Sequence, residues 1–118
     1  SLAQISSAVT LEQIADAQEK VRQVQVVRPL QEYMIRLVSA TRTHPDALIG
    51  VSPRGAVALQ RCSQALAYLR QRTFVTPDDI KSAVPAVLAH RLLTRDRRHE
   101  TAVGILADIT AEIPVPVG

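Results

Sequence analysis

An all-α fold, a small helical bundle of five or six short helices, is predicted by three features of the sequence. Apolar residues recur at helical spacing in every strong segment, helix-start devices precede those segments, and prolines stand at the boundaries between them. The 118 residues suit a single domain, 1–118, able to bury a modest core.

The first helix is expected from about Leu11 to Val24. Thr10 with Gln13 three positions on makes a capping-box pattern, and Ile14, Ala17, Val21 and Val24 form one apolar stripe, leaving Glu12, Asp16 and Glu19 for water. Pro29 suits a first helical position, where its missing N–H would be unpaired in any case. Leu30, Tyr33, Met34, Leu37 and Val38 then repeat at helical spacing as far as Thr41. Thr43 to Gly50, with its His-Pro-Asp turn, reads as a loop. Ser52-Pro53 starts the next helix as N-cap plus first-turn proline, and Leu59, Cys62, Leu66 and Leu69 carry its stripe to about Arg72.

After a short extended stretch at Thr73 to Val75, Thr76-Pro77-Asp78-Asp79 repeats the device and adds two acids that complement the helix dipole. Ile80, Ala83, Val84, Val87 and Leu88 make the buried stripe, and Pro85 inside it is expected to kink or split the helix. Arg95 to Glu100 reads as a charged connector. The last helix sends Val103, Leu106 and Ile109 to the core, and the chain ends extended at Ile113-Pro-Val-Pro-Val-Gly.

Composition narrows the function classes. Nearly half the residues are apolar, but no run approaches the roughly 18 needed to cross a bilayer, so a soluble protein without a membrane role is expected. Met34 is the sole methionine, which predicts a processed or excised piece of a longer chain. The lone Cys62 and the lack of a signal-like end favour a cytoplasmic setting. The 14 basic against 11 acidic residues are interspersed, which argues against nucleic-acid binding. No phosphate-binding loop of the Gly-x4-Gly-Lys-Ser/Thr form occurs, so this chain alone is not expected to hydrolyse ATP, and no catalytic residue is assigned within it. His44, His90 and His99 lack zinc-pair spacing, so no metal site is expected. Cys62 falls on an apolar stripe, and Asp78 and Asp79, as consecutive helical residues, do not share a face for acid–base work.

Arg54 stands apart. It occupies the first turn of its helix, where a cation opposes the macrodipole, whereas the equivalent turn of the next helix carries two acids. An anion at that helix start would turn the liability into a phosphate site. Spacing alone still favours an ordinary solvated arginine.

The segment Gly50-Val-Ser-Pro-Arg-Gly-Ala-Val-Ala-Leu59, followed by Phe74-Val-Thr-Pro-Asp-Asp-Ile-Lys81 and Val87-Leu-Ala-His-Arg-Leu92, resembles the C-terminal helical lid of MoxR-type AAA+ ATPases. Upstream, Glu32-Tyr33 and Thr41-Arg42-Thr43-His44-Pro45 resemble the helix and loop that precede the arginine motif there. The resemblance implies that Arg54 is the second sensor of ATP phosphates, with Ser52 and Pro53 fixing its geometry. It also implies a parent ATPase whose separate core holds ATP and Mg2+, with no cofactor bound by the fragment alone. As partners it implies that core, the neighbouring subunits of a hexameric ring, and von Willebrand factor A domain proteins. The implied role is chaperone-like remodelling or metalloenzyme maturation, and the fragment itself is expected to be monomeric. Two readings compete: a histone-fold-like protein or DNA interaction module, suggested by the long middle helix and the Thr-Pro-Asp-Asp start, and a scaffolding bundle without ligand.

Overall fold

The computed structural model describes residues 10–117. Among them are five α-helices: α1 (Leu11–Arg22), α2 (Arg28–Thr43), α3 (Pro53–Leu69), α4 (Pro77–Leu88) and α5 (His99–Glu112). A single 3-10 turn, Ala89–Arg91, extends α4. The all-α bundle is therefore present, with one small addition. The stretch read as a loop contains β1 (Ala47–Ile49), which pairs antiparallel with β2 (Leu93–Thr94). Two strands this short leave no alternation to detect in sequence.

Helix starts follow local chemistry. The Thr10 hydroxyl accepts from Gln13 N while the Gln13 side chain accepts from Thr10 N, and Thr76 and Asp79 repeat the exchange at α4. Pro85 stays within α4 and does not split it. It lies on an exposed face, where a missing backbone donor leaves no buried acceptor unpaired. At the far end of α3 the helix stops at Leu69, short of the expected Arg72. Gln71 takes a left-handed φ of 61°, Gln71 N donates to Tyr68 O, and Arg72 N donates to Ala67 O. This is a Schellman stop with glutamine where glycine is usual.

The core gathers Leu30, Tyr33, Met34, Leu37 and Val38 of α2 with Leu59 and Ala67 of α3, Ile80, Ala83, Val84 and Leu88 of α4, and Ala102, Ile105, Leu106 and Ile109 of α5. A parallel bridge between Gln25 and Phe74 ties the α1–α2 connector to the extended link before α4. Gln64 on α3 donates to Val24 O at 2.9 Å and satisfies that connector from the side. Two stripe residues depart from expectation: Leu69 and Val103 are exposed, because the buried faces of their helices are completed instead by Ser63, Gln64 and Ala67, and by Ala102 and Ile105.

Tyr33 is 1% exposed and its hydroxyl has no hydrogen-bond partner among the described residues. Burial also pushes its pKa up. A buried unpaired hydroxyl is a net cost, so Tyr33→Phe is expected to leave stability unchanged or raise it by up to about 1 kcal/mol, read by urea denaturation. A loss above that would mean the hydroxyl is satisfied in solution.

The α1 stripe has the opposite fate. No residue of α1 is buried; Ile14, Ala17 and Val21 instead line a shallow apolar groove whose other wall is Ala65, Tyr68 and Leu69 of α3. Leu11 is 85% and Leu69 74% exposed, so a substantial apolar face is left uncovered among the described residues.

Candidate functional site

The start of α3 is held from behind by the end of α2. Thr41 is fully buried; its hydroxyl donates to Val38 O and accepts from Val51 N at 2.9 Å. Arg42 Nε donates to Val51 O at 3.0 Å, so both backbone polar groups of Val51 are occupied, and its side chain is wholly buried. Gly50 makes this clasp possible. A Cβ there would stand 2.6 Å from Arg42 Cγ and 2.7 Å from Arg42 Cα, distances that backbone atoms cannot relieve. Gly50→Ala is therefore expected to cost about 1–3 kcal/mol, the usual penalty of overpacking, measured as a shift in the denaturation midpoint. An unshifted midpoint would show that the α2–α3 junction is looser than the clasp implies.

Beyond the clasp, Ser52, Pro53 and Arg54 are all exposed. Ser52 occupies the N-cap position with extended φ −74° and ψ 167°, but its side chain makes no capping hydrogen bond. This corrects the expectation that capping accounts for Ser52. The first-turn bond is instead Gly55 N to Ser52 O at 2.8 Å. Pro53 stands at the helix start as expected, with no acid in that first turn. Arg54 enters no hydrogen bond or ion pair among the described residues, and it projects from a helix end whose N–H groups have no side-chain acceptor. Along α3, Arg54, Arg61, Ala65 and Tyr68 recur at steps of seven, four and three, which places Arg54 on the face that opens onto the apolar groove.

The other candidates resolve differently. Cys62 is half-buried, and burial pushes its thiol pKa up, away from nucleophilic character. Asp78 is exposed, as dipole compensation requires, but Asp79 is completely buried. Arg72 binds Asp79 through two nitrogens, Arg70 Nη1 donates at 2.8 Å, and the Thr76 backbone N–H donates at 2.8 Å. Burial by itself would raise the Asp79 pKa. The hydrogen bonds from Arg72, Thr76 and Arg70 outweigh it and hold the carboxyl well below the ordinary carboxylate range. This network was not legible at the sequence level, where both acids were assigned to the dipole.

Asp96 plays a similar part in the connector: Thr101 Oγ1, Arg98 N and Thr94 Oγ1 donate to it, lowering its pKa to about 2 and fixing the start of α5. The rings of His90 and His99 stack with centroids 5.0 Å apart, while His44 Nε2 lies 3.9 Å from Asp108. Among the described residues no three His, Cys, Asp or Glu side chains converge on a possible metal position, and no helix is long and apolar enough to cross a membrane.

The family model described as "AAA lid domain" matches residues 39–110, which contain the clasped, acid-free helix start with its exposed arginine. The chain belongs to the AAA lid domain family. The lid is 38% identical over 103 residues to the uncharacterized protein YeaC of Bacillus subtilis, a match covering 85% of the lid and 32% of that protein. It is 41% identical over 71 residues to the protein MoxR of Paracoccus denitrificans, covering 57% of the lid and 21% of MoxR. Among solved structures, a protein from Cytophaga hutchinsonii assigned as an ATPase superposes with a TM-score of 0.77 at 26% identity, covering 84% of the lid and 34% of that chain. The lid thus spans about a third or less of the length of these relatives, and it is of the MoxR type that the Ser-Pro-Arg and Thr-Pro-Asp-Asp motifs resemble. The histone-fold alternative is not favoured by these matches.

Proposed function

We propose that this lid is one domain of a longer MoxR-type ATPase and that Arg54 senses the terminal phosphates of ATP held by a separate core. The observation that carries the reading is Arg54 itself: exposed, without an internal counter-ion among the described residues, at a helix start fixed by the Thr41–Arg42 clasp. A mobile cation placed there couples phosphate charge to lid position, because it gains a charge-assisted contact when the lid is closed over nucleotide and loses it when phosphate leaves. Ser52 and Pro53 set the direction of the helix start and so of Arg54.

The residues present fit a contact to ATP and not a cradle for it. The lid offers one helix end and its arginines but no phosphate loop, so ATP and Mg2+ belong to the core, and the isolated lid binds neither strongly. The uncovered apolar groove shares a helix face with Arg54, which suits it to dock on that core. The wider reading follows from the MoxR likeness: a ring with neighbouring subunits, a hexamer, acting in the cytoplasm as a chaperone-like motor or in metalloenzyme maturation, with von Willebrand factor A domain proteins as partners. ATP turnover of Arg54→Ala in the full-length enzyme tests the sensor role, and unchanged turnover rejects it.

A further inference from the structure

Gly55 is where the start of α3 meets the end of α4. A Cβ at Gly55 would collide with Val51 Cγ1 and would lie 3.6 Å from both Leu88 Cδ2 and Arg91 Cδ. The missing side chain therefore lets the stem of Arg91, from the 3-10 turn after α4, lie against the first turn of α3, one residue along from Arg54. Like Arg54, Arg91 is exposed and has no hydrogen bond or ion pair among the described residues. Arg70 and Arg72 are committed to Asp79, Arg42 to Val51 O and Arg95 to Pro45 O, while Arg36 and Arg97, which are also exposed and unpaired among the described residues, stand on other elements away from the start of α3. No acid occupies the first turn of α3 to neutralise the pair.

The stem of Arg91 thus meets the same helix turn that carries Arg54, with no counter-ion for either among the described residues, and two cations converging there when docking against another domain excludes water would repel each other. An anion with several oxygens removes that cost, and the planar fork of arginine matches phosphate in particular. We propose that Arg91 is a second phosphate-contacting arginine, gripping the same nucleotide phosphate chain as Arg54. The inference rests on the sensor reading of Arg54 and adds a partner to it.

The test uses the full-length ATPase with Arg91→Ala, Arg91→Met, Arg91→Lys and, for reference, Arg54→Ala, measuring KM for ATP, kcat, and thermal unfolding. Met keeps the aliphatic stem over Gly55 and removes the charge. The Ala and Met variants are each expected to raise KM about ten-fold, with Lys in between and unfolding unchanged. Wild-type KM in Arg91→Met would show that the stem alone matters and would overturn the proposal. A loss of turnover in Arg54→Ala alongside normal kinetics in Arg91→Ala also overturns it while leaving the sensor reading intact. Normal kinetics in both variants would remove the sensor reading itself.

Discussion

Asp79→Asn is expected to destabilise the lid by about 3 kcal/mol, a fall in melting temperature on the order of 10 °C for a domain of this size. The side chain is 0% exposed, and it accepts from Arg70, Arg72 and both the backbone and hydroxyl of Thr76. Removing one partner of a buried ion pair typically costs about 3–5 kcal/mol, because the charge left behind is uncompensated. The lower end applies here: Arg70 and Arg72 retain 43% and 25% side-chain exposure and can turn toward water. Asparagine also preserves an oxygen for the Thr76 cap. Asp78→Asn serves as the control. If the two acids acted only on the helix dipole, both variants would lose a similar, small amount, and equal losses would refute the buried network.

The pH dependence has a fixed sign. Asp79 has a folded pKa below its ordinary value of 3.8, so the unfolded chain binds the proton more readily. The stabilisation is therefore fully present above that ordinary value and is lost progressively as pH falls beneath it. The gap in stability between wild type and Asp79→Asn is accordingly expected to be constant near neutrality and to close on acidification. A gap that widened in acid would contradict the ion pairing.

Asp79 also shows which kind of information the sequence carried. Thr76 as the cap of the helix and an acid in its first turn were legible, since both depend only on the residues at the helix start. At that level, however, Asp79 was assigned to the dipole and not to the capping box it closes with Thr76. The ion pairs were not legible, because they depend on the left-handed turn at Gln71, which swings Arg72 back to α4; a glutamine gives no signal for that conformation. The same division runs through the rest of the fold. Leu30 through Val38 were placed in the core by period alone, whereas Leu69 and Val103 kept the period and ended exposed. Periodicity finds an apolar face but does not say how fully another element covers it, and among the described residues α3 covers that of α1 only in part. At the site, Arg54 was singled out by a broken dipole rule and by motif likeness. Thr41, Arg42 and Gly50, which hold its helix in place, act through contacts eight to ten residues apart that only the folded chain reveals.

In the full-length ATPase, Arg54→Ala is expected to lower kcat for ATP about 100-fold, the usual consequence of removing one preorganised donor aimed at developing charge. Stability should move the other way. Arg54 opposes the α3 dipole from its first turn and touches no acid among the described residues, so alanine relieves a local repulsion and improves helix propensity, raising the melting temperature slightly. Opposite signs separate a sensor from a structural residue, since a structural arginine would cost stability together with turnover. Arg54→Lys is expected to recover part of kcat, keeping the charge but not the planar fork. Ser52→Ala is expected to leave the helix intact, because the serine side chain makes no capping bond. Wild-type turnover in Arg54→Ala would leave the exposed guanidinium an ordinary surface charge. A melting temperature that fell with kcat would place its role in the fold and not at the phosphate.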